Sequence, residues 1–233
     1  VITHTSTAAQ LLSCKYDVAM EKICIIPHGV PHVNLHRTGK AAIRRKLAIT
    51  GFPVIATFGL LAPRKGIEYA IRAMPPVVKE YPDALLLIIG QTHSQTIAAK
   101  GSYRKLLEQL VNSLRLERNV LFVNHFLEEK RLIEYLLSAD IYVIPYPDEE
   151  QISSGTLVYA LACGKAVIST PFSHARDVIG NSTNILNGFT KTMSREGLYI
   201  GNRGILVPSR NAETIGRAVI LLARNGALKA KIE

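Results

Sequence analysis

Short apolar runs alternate regularly with segments whose apolar residues recur at helical spacing, and this constrains the chain more than any other feature. The runs are Ile23–Ile26, Val54–Phe58, Leu85–Ile89, Val120–Val123, Ile141–Ile144, Ala166–Ser169 and Gly204–Val207. Each is rich in Val, Ile or Leu and bounded by Gly, Pro or polar residues, as strands buried on both faces are. Between them, Ile67, Ala70, Ile71 and Met74 follow i, i+3, i+4, i+7. Leu106, Leu107, Leu110, Val111 and Leu114 make a second stripe, and Leu132, Ile133, Leu136 and Leu137 a third. Pro75-Pro76 predicts an interruption of the first helix, because proline lacks the N–H a helix interior needs, although it can open a continuing turn. The alternation predicts an α/β fold: a doubly wound parallel sheet with helices on both faces.

Residues 1–30 read differently, as a helix from about Thr5 to Tyr16 and a strand, followed by Pro27-His28-Gly29-Val30-Pro31. That stretch has the composition of a linker, so a domain boundary is expected near residue 30, with one larger domain over 31–233. From Gly180 to Arg203 the rhythm breaks into Asn, Thr, Ser and Gly. So long a connection is expected to be a lid or disordered. Asn181-Ser182-Thr183 matches a glycosylation sequon but is set aside, since no basic-then-apolar leader opens the sequence. The first residue is Val1 and the first methionine Met20, so the chain is expected to be a piece of a longer protein.

Composition narrows the class. The 233 residues suit one sizeable domain with an attached piece. With 48% hydrophobic and 20% charged residues, a core can form and wholesale disorder is excluded. No apolar run approaches the ~20 residues of a membrane helix, so a soluble, cytoplasmic protein is expected. A peripheral contact with a membrane surface is left open. Lys and Arg exceed Asp and Glu by 28 − 18 = 10, a balance that attracts anions. The charge is scattered, however, with Arg44-Arg45-Lys46 the densest cluster, and there is no Trp and no aromatic-basic stripe. Nucleic acid is therefore not expected as a partner. Cys14, Cys24 and Cys163 form no CxxC pair and are expected to be reduced thiols, with Cys24 and Cys163 buried.

If the six strands from Val54 onward take the common doubly wound order, the chain reverses between the first and the fourth, and ligands bind there beyond the carboxyl ends. Two loops meet at that crevice. The first, Gly59-Leu60-Leu61-Ala62-Pro63-Arg64-Lys65-Gly66, sets two cations at a helix N-terminus. Either an anion sits between them and the helix, or they are an ordinary exposed pair. Neither this loop nor Cys163-Gly164-Lys165-Ala166 fits a GxGxxG or Walker pattern. The second loop runs from Pro145 through Tyr146, Gln151, Ser153 and Ser154 to Gly155, Thr156 and Leu157. Ser153 or Ser154 can cap the next helix, and the amides after it can cradle a phosphate. His28, His32 and His36 share a spacing of four, but Pro27 and Pro31 oppose the helix that would align them, so no metal site is expected. His174 could approach the crevice or simply start a helix.

Thr57-Phe58-Gly59-Leu60-Leu61-Ala62-Pro63-Arg64-Lys65-Gly66-Ile67-Glu68 resembles the phosphate-binding loop of retaining GT-B glycosyltransferases of the group 1 (GT4-like) class. The run from Ser153-Ser154-Gly155-Thr156-Leu157 through Cys163-Gly164-Lys165 to Ser169-Thr170-Pro171 resembles a second motif of that family. Ile26-Pro27-His28-Gly29-Val30 is similar to its interdomain linker and Gly204-Ile205-Leu206-Val207-Pro208 to its last strand. The resemblance implies a Rossmann-like C-terminal GT-B domain that binds a nucleotide-diphosphate sugar, preceded by the tail of the N-terminal domain. It implies transfer of the sugar with retention to a sugar or lipid-linked acceptor, with no cofactor and no essential metal. On matching positions, Lys65 and, more weakly, Arg64 would hold the diphosphate and stabilise the leaving group. Gly59, Gln151, Ser153, Ser154, Gly155, Thr156 and Tyr159 would bind the donor, and His125, Phe126 and Leu127 would lie near the nucleobase.

Three departures stand out. Leu60 occupies a position where the family often has Arg, and Gln151 and Tyr159 replace paired glutamates that grip donor sugar and ribose. A Ser-Gly-Thr-Leu branch of the family carries similar replacements. The 180–203 connection is longer than usual. With the acceptor side in the N-terminal domain, and the C-terminal helix that returns to it expected to be missing after Glu233, the chain alone is expected to bind donor weakly and transfer poorly. A glycoside phosphorylase and a non-catalytic nucleotide- or anion-binding module are the alternatives.

Overall fold

Five of the expected strands form with the bounds read from the sequence: β3 (Val54–Phe58), β4 (Leu85–Ile89), β5 (Val120–Val123), β6 (Ile141–Ile144) and β7 (Ala166–Ser169). The computed structural model describes residues 1–31, 33, 39–91, 103–123, 126–180 and 197–233. Within these, β9 spans Gly204–Leu206, one residue shorter than expected, and is preceded by a strand the sequence did not suggest, β8 (Tyr199–Ile200). The seven strands are ordered β5-β4-β3-β6-β7-β9-β8, all parallel except that β8 pairs antiparallel with β9. This is the doubly wound, Rossmann-like arrangement, and β3 and β6 stand side by side at the reversal. Of the 180–203 connection, 181–196 lies outside the described residues, so the expected lid is not described; its end supplies β8.

The strands alternate their side chains between two apolar layers. Ile55, Leu86, Ile88, Ile141, Val143, Ile168 and Ile205 face one. That layer is covered by α3 (Ile67–Arg72), α4 (Met74–Glu80), α5 (Tyr103–Ser113), α9 (Ala212–Arg224) and α10 (Gly226–Ile232). Val54, Ala56, Leu87, Ile89, Tyr142, Ile144 and Val167 face the other, under α6 (Glu129–Ser138), α7 (Gly155–Ala162) and α8 (Ser173–Ile179). Each Val, Leu or Ile side chain among them taken fully from water contributes about 1.5–3 kcal/mol, so the two layers hold the sheet between them. The expected interruption falls at Ala73: α3 ends at Arg72, and Pro75 and Pro76 sit in the first turn of α4, where their missing N–H groups cost nothing.

Residues 1–31 hold α1 (Ser6–Tyr16), capped by the Thr5 hydroxyl, and a separate two-stranded parallel sheet of β1 (Ile2–Thr3) and β2 (Cys24–Ile25). The expectation that Cys24 is buried is corrected here. β2 is a two-residue outer strand with both residues exposed, and of the three thiols only Cys163 is buried. No helix among the described residues is long and apolar enough to cross a membrane.

At the amino end of the sheet, Asp140 ties α2 (Lys40–Leu47) to β3 and β6. Its side chain is only 4% exposed, and it accepts from Lys40 Nζ at 2.5 Å, Arg44 Nη2 at 2.7 Å and the Val54 N–H at 2.8 Å. Burial alone would raise the carboxyl pKa, but the bonds from Lys40, Val54 and Arg44 outweigh it and hold it below its ordinary value. Two of the three residues of the basic cluster are thus engaged in the fold, Arg44 here and Lys46 with Glu134 at 2.5 Å. Asp140→Ala is expected to cost about 3 kcal/mol, since it strands a half-buried arginine and an amide. A depressed carboxyl contributes stability above its ordinary pKa and loses it as pH falls through the folded value. Urea unfolding should therefore show a large gap between wild type and variant at pH 7 that narrows below about pH 4.

Candidate functional site

β3 and β6 are neighbours, yet the helix after β3, α3, covers one face of the sheet and the helix after β6, α7, covers the other. Their carboxyl ends therefore open a crevice between loops 59–66 and 145–154. The first loop continues the sheet: the Gly59 N–H donates to the Ile89 carbonyl and the Leu61 N–H to that of Gln91, both at 3.0 Å. A β-carbon on Gly90 would lie 2.0 Å from the Gly59 carbonyl oxygen, so only glycine lets these strand ends come together. After a 3₁₀ turn over Pro63–Lys65, Gly66 takes φ +60°, and a β-carbon there would lie 2.1 Å from the Pro145 carbonyl oxygen. The two loops are thus in backbone contact.

Lys65 lies across that contact. Its Nζ donates to the Tyr146 hydroxyl at 2.7 Å and stands 4.0 Å from the centre of the same ring. An ammonium only donates, so the tyrosine oxygen accepts, and its own proton is free for Thr156 Oγ1 at 2.8 Å. Thr156 in turn lies 3.0 Å from Ser154 Oγ, which caps α7 by accepting from the Leu157 N–H. The Tyr146 ring is buried and stacked on Phe172, with centroids 5.2 Å apart. No acceptor among the described residues takes the Gly155 or Thr156 N–H, the orphan donors of a helix start. A cation, two free amides and the positive end of a helix therefore converge on one crevice, an arrangement suited to an anion.

A cleft of about 400 Å³ adjoins this point, lined by Phe58, Gly59, Leu60, Phe126, Leu127, Glu129 and Tyr159 among others. Beneath it the buried Tyr142 hydroxyl accepts from the Phe58 N–H at 3.0 Å and fixes the exit of β3. Tyr159 donates to Glu129 Oε1 at 2.9 Å, and that carboxylate, with some burial, raises the tyrosine pKa. Among the described residues, Glu129 is the one carboxylate in an otherwise mainly apolar lining.

The structure therefore brings Gly59, Lys65, Ser154, Gly155 and Thr156 together, and sets Phe126, Leu127 and Tyr159 on the adjoining cleft. Arg64 is exposed on the 3₁₀ turn. Gln151 is turned back onto its own loop, its Nε2 donating to the Ser153 carbonyl at 2.8 Å. His125 lies outside the described residues, as do His32 and His36. Sequence reasoning missed Tyr146 and Glu129 as participants. Tyr146 stood inside the second loop, and its being an aromatic beside a crevice cation was the available signal; Glu129 belongs to a helix read only for its apolar stripe.

Residues 39–233 match the family described as glycosyl transferases group 1. The chain is 34% identical over 153 residues to a GDP-mannose-dependent monoacylated alpha-(1-6)-phosphatidylinositol monomannoside mannosyltransferase of Corynebacterium glutamicum, covering 63% of this chain and 37% of that protein. Among solved structures, Anabaena Alr3699/HepE in complex with UDP superposes with TM-score 0.75 at 18% identity, over 100% of this chain and 56% of the other. The C-terminal domain of a group 1 glycosyl transferase family protein (LpcC) from Francisella tularensis superposes with TM-score 0.66 at 20% identity, over 88% of this chain and 92% of that one. The chain thus spans 37% of the length of the Corynebacterium relative and just over half that of the Anabaena protein.

Gly66 is where the two loops touch, so Gly66→Ala tests whether their contact sets the crevice. The added methyl meets the Pro145 carbonyl in a backbone region alanine disfavours. A cost of about 2–3 kcal/mol is expected, lowering Tm by roughly 5–10 °C. A variant melting with the wild type would show that the loops part freely.

Proposed function

Because the chain belongs to the group 1 glycosyl transferases, we propose that it carries the donor site of a nucleotide-sugar-dependent glycosyltransferase. Residues 31–233 are the donor-binding domain in this reading, and residues 1–30 are the linker and tail of a partner domain that brings the acceptor. One observation carries it: Lys65, the free Gly155 and Thr156 amides and the α7 N-terminus converge between β3 and β6. A diphosphate seated there meets a cation and aimed backbone dipoles in the place where Rossmann-like sheets hold ligands. The UDP bound by the Anabaena neighbour and the GDP-mannose dependence of the Corynebacterium relative are both nucleoside diphosphate chemistry.

The site's part in transfer follows from charge. As the bond from the sugar to the diphosphate oxygen breaks, negative charge grows on the leaving group. Lys65, exchanging the Tyr146 hydroxyl for a phosphate oxygen, and the two amides stabilise it more than the ground state, which lowers the barrier. These groups supply that positive charge without a metal in the proposed mechanism. Arg64, exposed at the loop's outer edge, adds long-range attraction. The adjoining cleft takes the nucleoside, with Phe58, Phe126, Leu127 and Tyr159 against the base and sugar. Gln151 and Ser153 stand on the donor-sugar side as uncharged hydrogen-bonding groups. Retention and a sugar or lipid-linked acceptor complete the reading.

Calorimetric titration of the chain with UDP, GDP and ADP tests it. One nucleotide is expected to bind saturably, with Lys65→Ala weakening it at least about tenfold and Arg64→Ala less than about threefold. Binding that Lys65→Ala leaves unchanged would remove the diphosphate from this crevice.

A further inference from the structure

The second loop is fastened from behind by a buried histidine that the proposed chemistry does not use. His174, in the first turn of α8, is 3% exposed. Its Nδ1 lies 2.9 Å from the Ser154 backbone nitrogen, a donor, so that ring nitrogen accepts and carries no proton. The reverse contacts run from the same helix end: the Ser173 N–H donates to the Glu149 carbonyl at 3.1 Å and the His174 N–H to that of Gln151 at 3.4 Å. Ser154 then leads through Thr156 and Tyr146 to Lys65 by the hydrogen bonds given above. One side chain thus stands behind the residue that caps α7 and begins the line to the crevice cation.

We infer that neutral His174 is a positioning residue for the donor site: it holds the α7 N-terminus in register with Lys65, and its protonation releases that hold. This rests on the donor-site reading above. Protonated imidazole donates at both nitrogens, so a charged His174 would set N–H against the Ser154 N–H and lose the bond. Every group facing the ring bears on when that happens. Burial lowers its pKa; Asp177, on the same helix, opposes this, and His28 and His4 of the N-terminal segment add to the lowering. Asp177 is itself bonded by the Thr7 hydroxyl at 2.9 Å and 2.8 Å, and Arg203 lines, with His4, His28, His174 and Asp177, a second cleft against the N-terminal segment. The sign is therefore fixed: the loop is held at neutral pH and loosens as pH falls through a value below the ordinary histidine pKa of about 6.5.

Two readouts test this on the 233-residue chain. By nuclear magnetic resonance, His174 is expected as the Nε2–H tautomer, with the Ser154, Gly155 and Thr156 amides shifting at the same midpoint as its ring. His174→Asn, whose Oδ1 can occupy the Nδ1 position as a non-titrating acceptor, should abolish the amide step at that midpoint; His28→Asn, which removes a ring that lowers the His174 pKa, should move the midpoint upward with the amides still following the His174 ring. By calorimetry with whichever of UDP, GDP and ADP binds, wild type should lose about twofold more affinity than His174→Asn at the pH of the His174 midpoint, and up to about tenfold more one pH unit below it. Protonation of the nucleotide itself is common to both and cancels. His174→Gln, which puts its acceptor at the wrong ring position, should bind more weakly than His174→Asn at pH 7.5. Amides that ignore the His174 titration, or identical pH dependence in wild type and His174→Asn, would overturn the inference. If wild type binds none of the three nucleotides at pH 7.5, the donor reading fails, and the resonance arm alone still decides whether His174 positions the helix start.

Discussion

Two neighbouring parallel strands whose chains depart toward opposite faces cannot cover the gap between their own carboxyl ends, and β3 and β6 are such a pair. Everything at the crevice depends on that divergence. It brings a loop carrying Lys65 against a loop that ends in the α7 N-terminus, and it lets glycines at 66 and 90 close the backbone contacts. The paired apolar layers keep the strands in place. The Asp140 cluster at the opposite end locks the amino ends of β3 and β6, so the two strands are held at one end and open at the other.

The electrostatics follow the same polarity. The chain is basic by ten charges, but two cations of its densest cluster are engaged away from the crevice. Arg44 and Lys46 are spent on Asp140 and Glu134 at the amino end of the sheet or on its helices. What distinguishes Lys65 is its resting place. It leans on a neutral hydroxyl and a ring face and has no carboxylate beside it among the described contacts, so a phosphate can displace that partner at small cost. Glu129, the carboxylate of the adjoining cleft, is held by the Tyr159 hydroxyl and set apart from the Lys65 contact. Gln151 and Tyr159 are uncharged, so neither offsets the positive charge of Lys65.

Most of the fold was legible because buried parallel strands leave unmistakable apolar runs, and five of them were bounded to the residue. β8 was not legible: two residues, Tyr199 and Ile200, are too few to carry a periodicity. Cys24 misled because apolar neighbours in sequence suggest burial, whereas a two-residue outer strand exposes both residues. The crevice loops were legible from topology, and Lys65, Ser154 and Thr156 from their place in it. Tyr146, Glu129 and the buried acceptor on His174 were not, because each acts through a partner distant in sequence: Lys65, Tyr159 and Ser154. A single chain read in order shows spacing, and these contacts are made across it.

The central claim is that the diphosphate of a nucleotide sits between Lys65 and the start of α7. A crystal structure of the chain with UDP or GDP bound tests it most directly. The account predicts phosphate oxygens within hydrogen-bond distance of Lys65 Nζ and of the Gly155 and Thr156 amides, with the Lys65–Tyr146 bond broken and the base in the cleft beside Tyr159. A diphosphate found instead on the basic surface of α2, with Lys65 still on Tyr146, would contradict it.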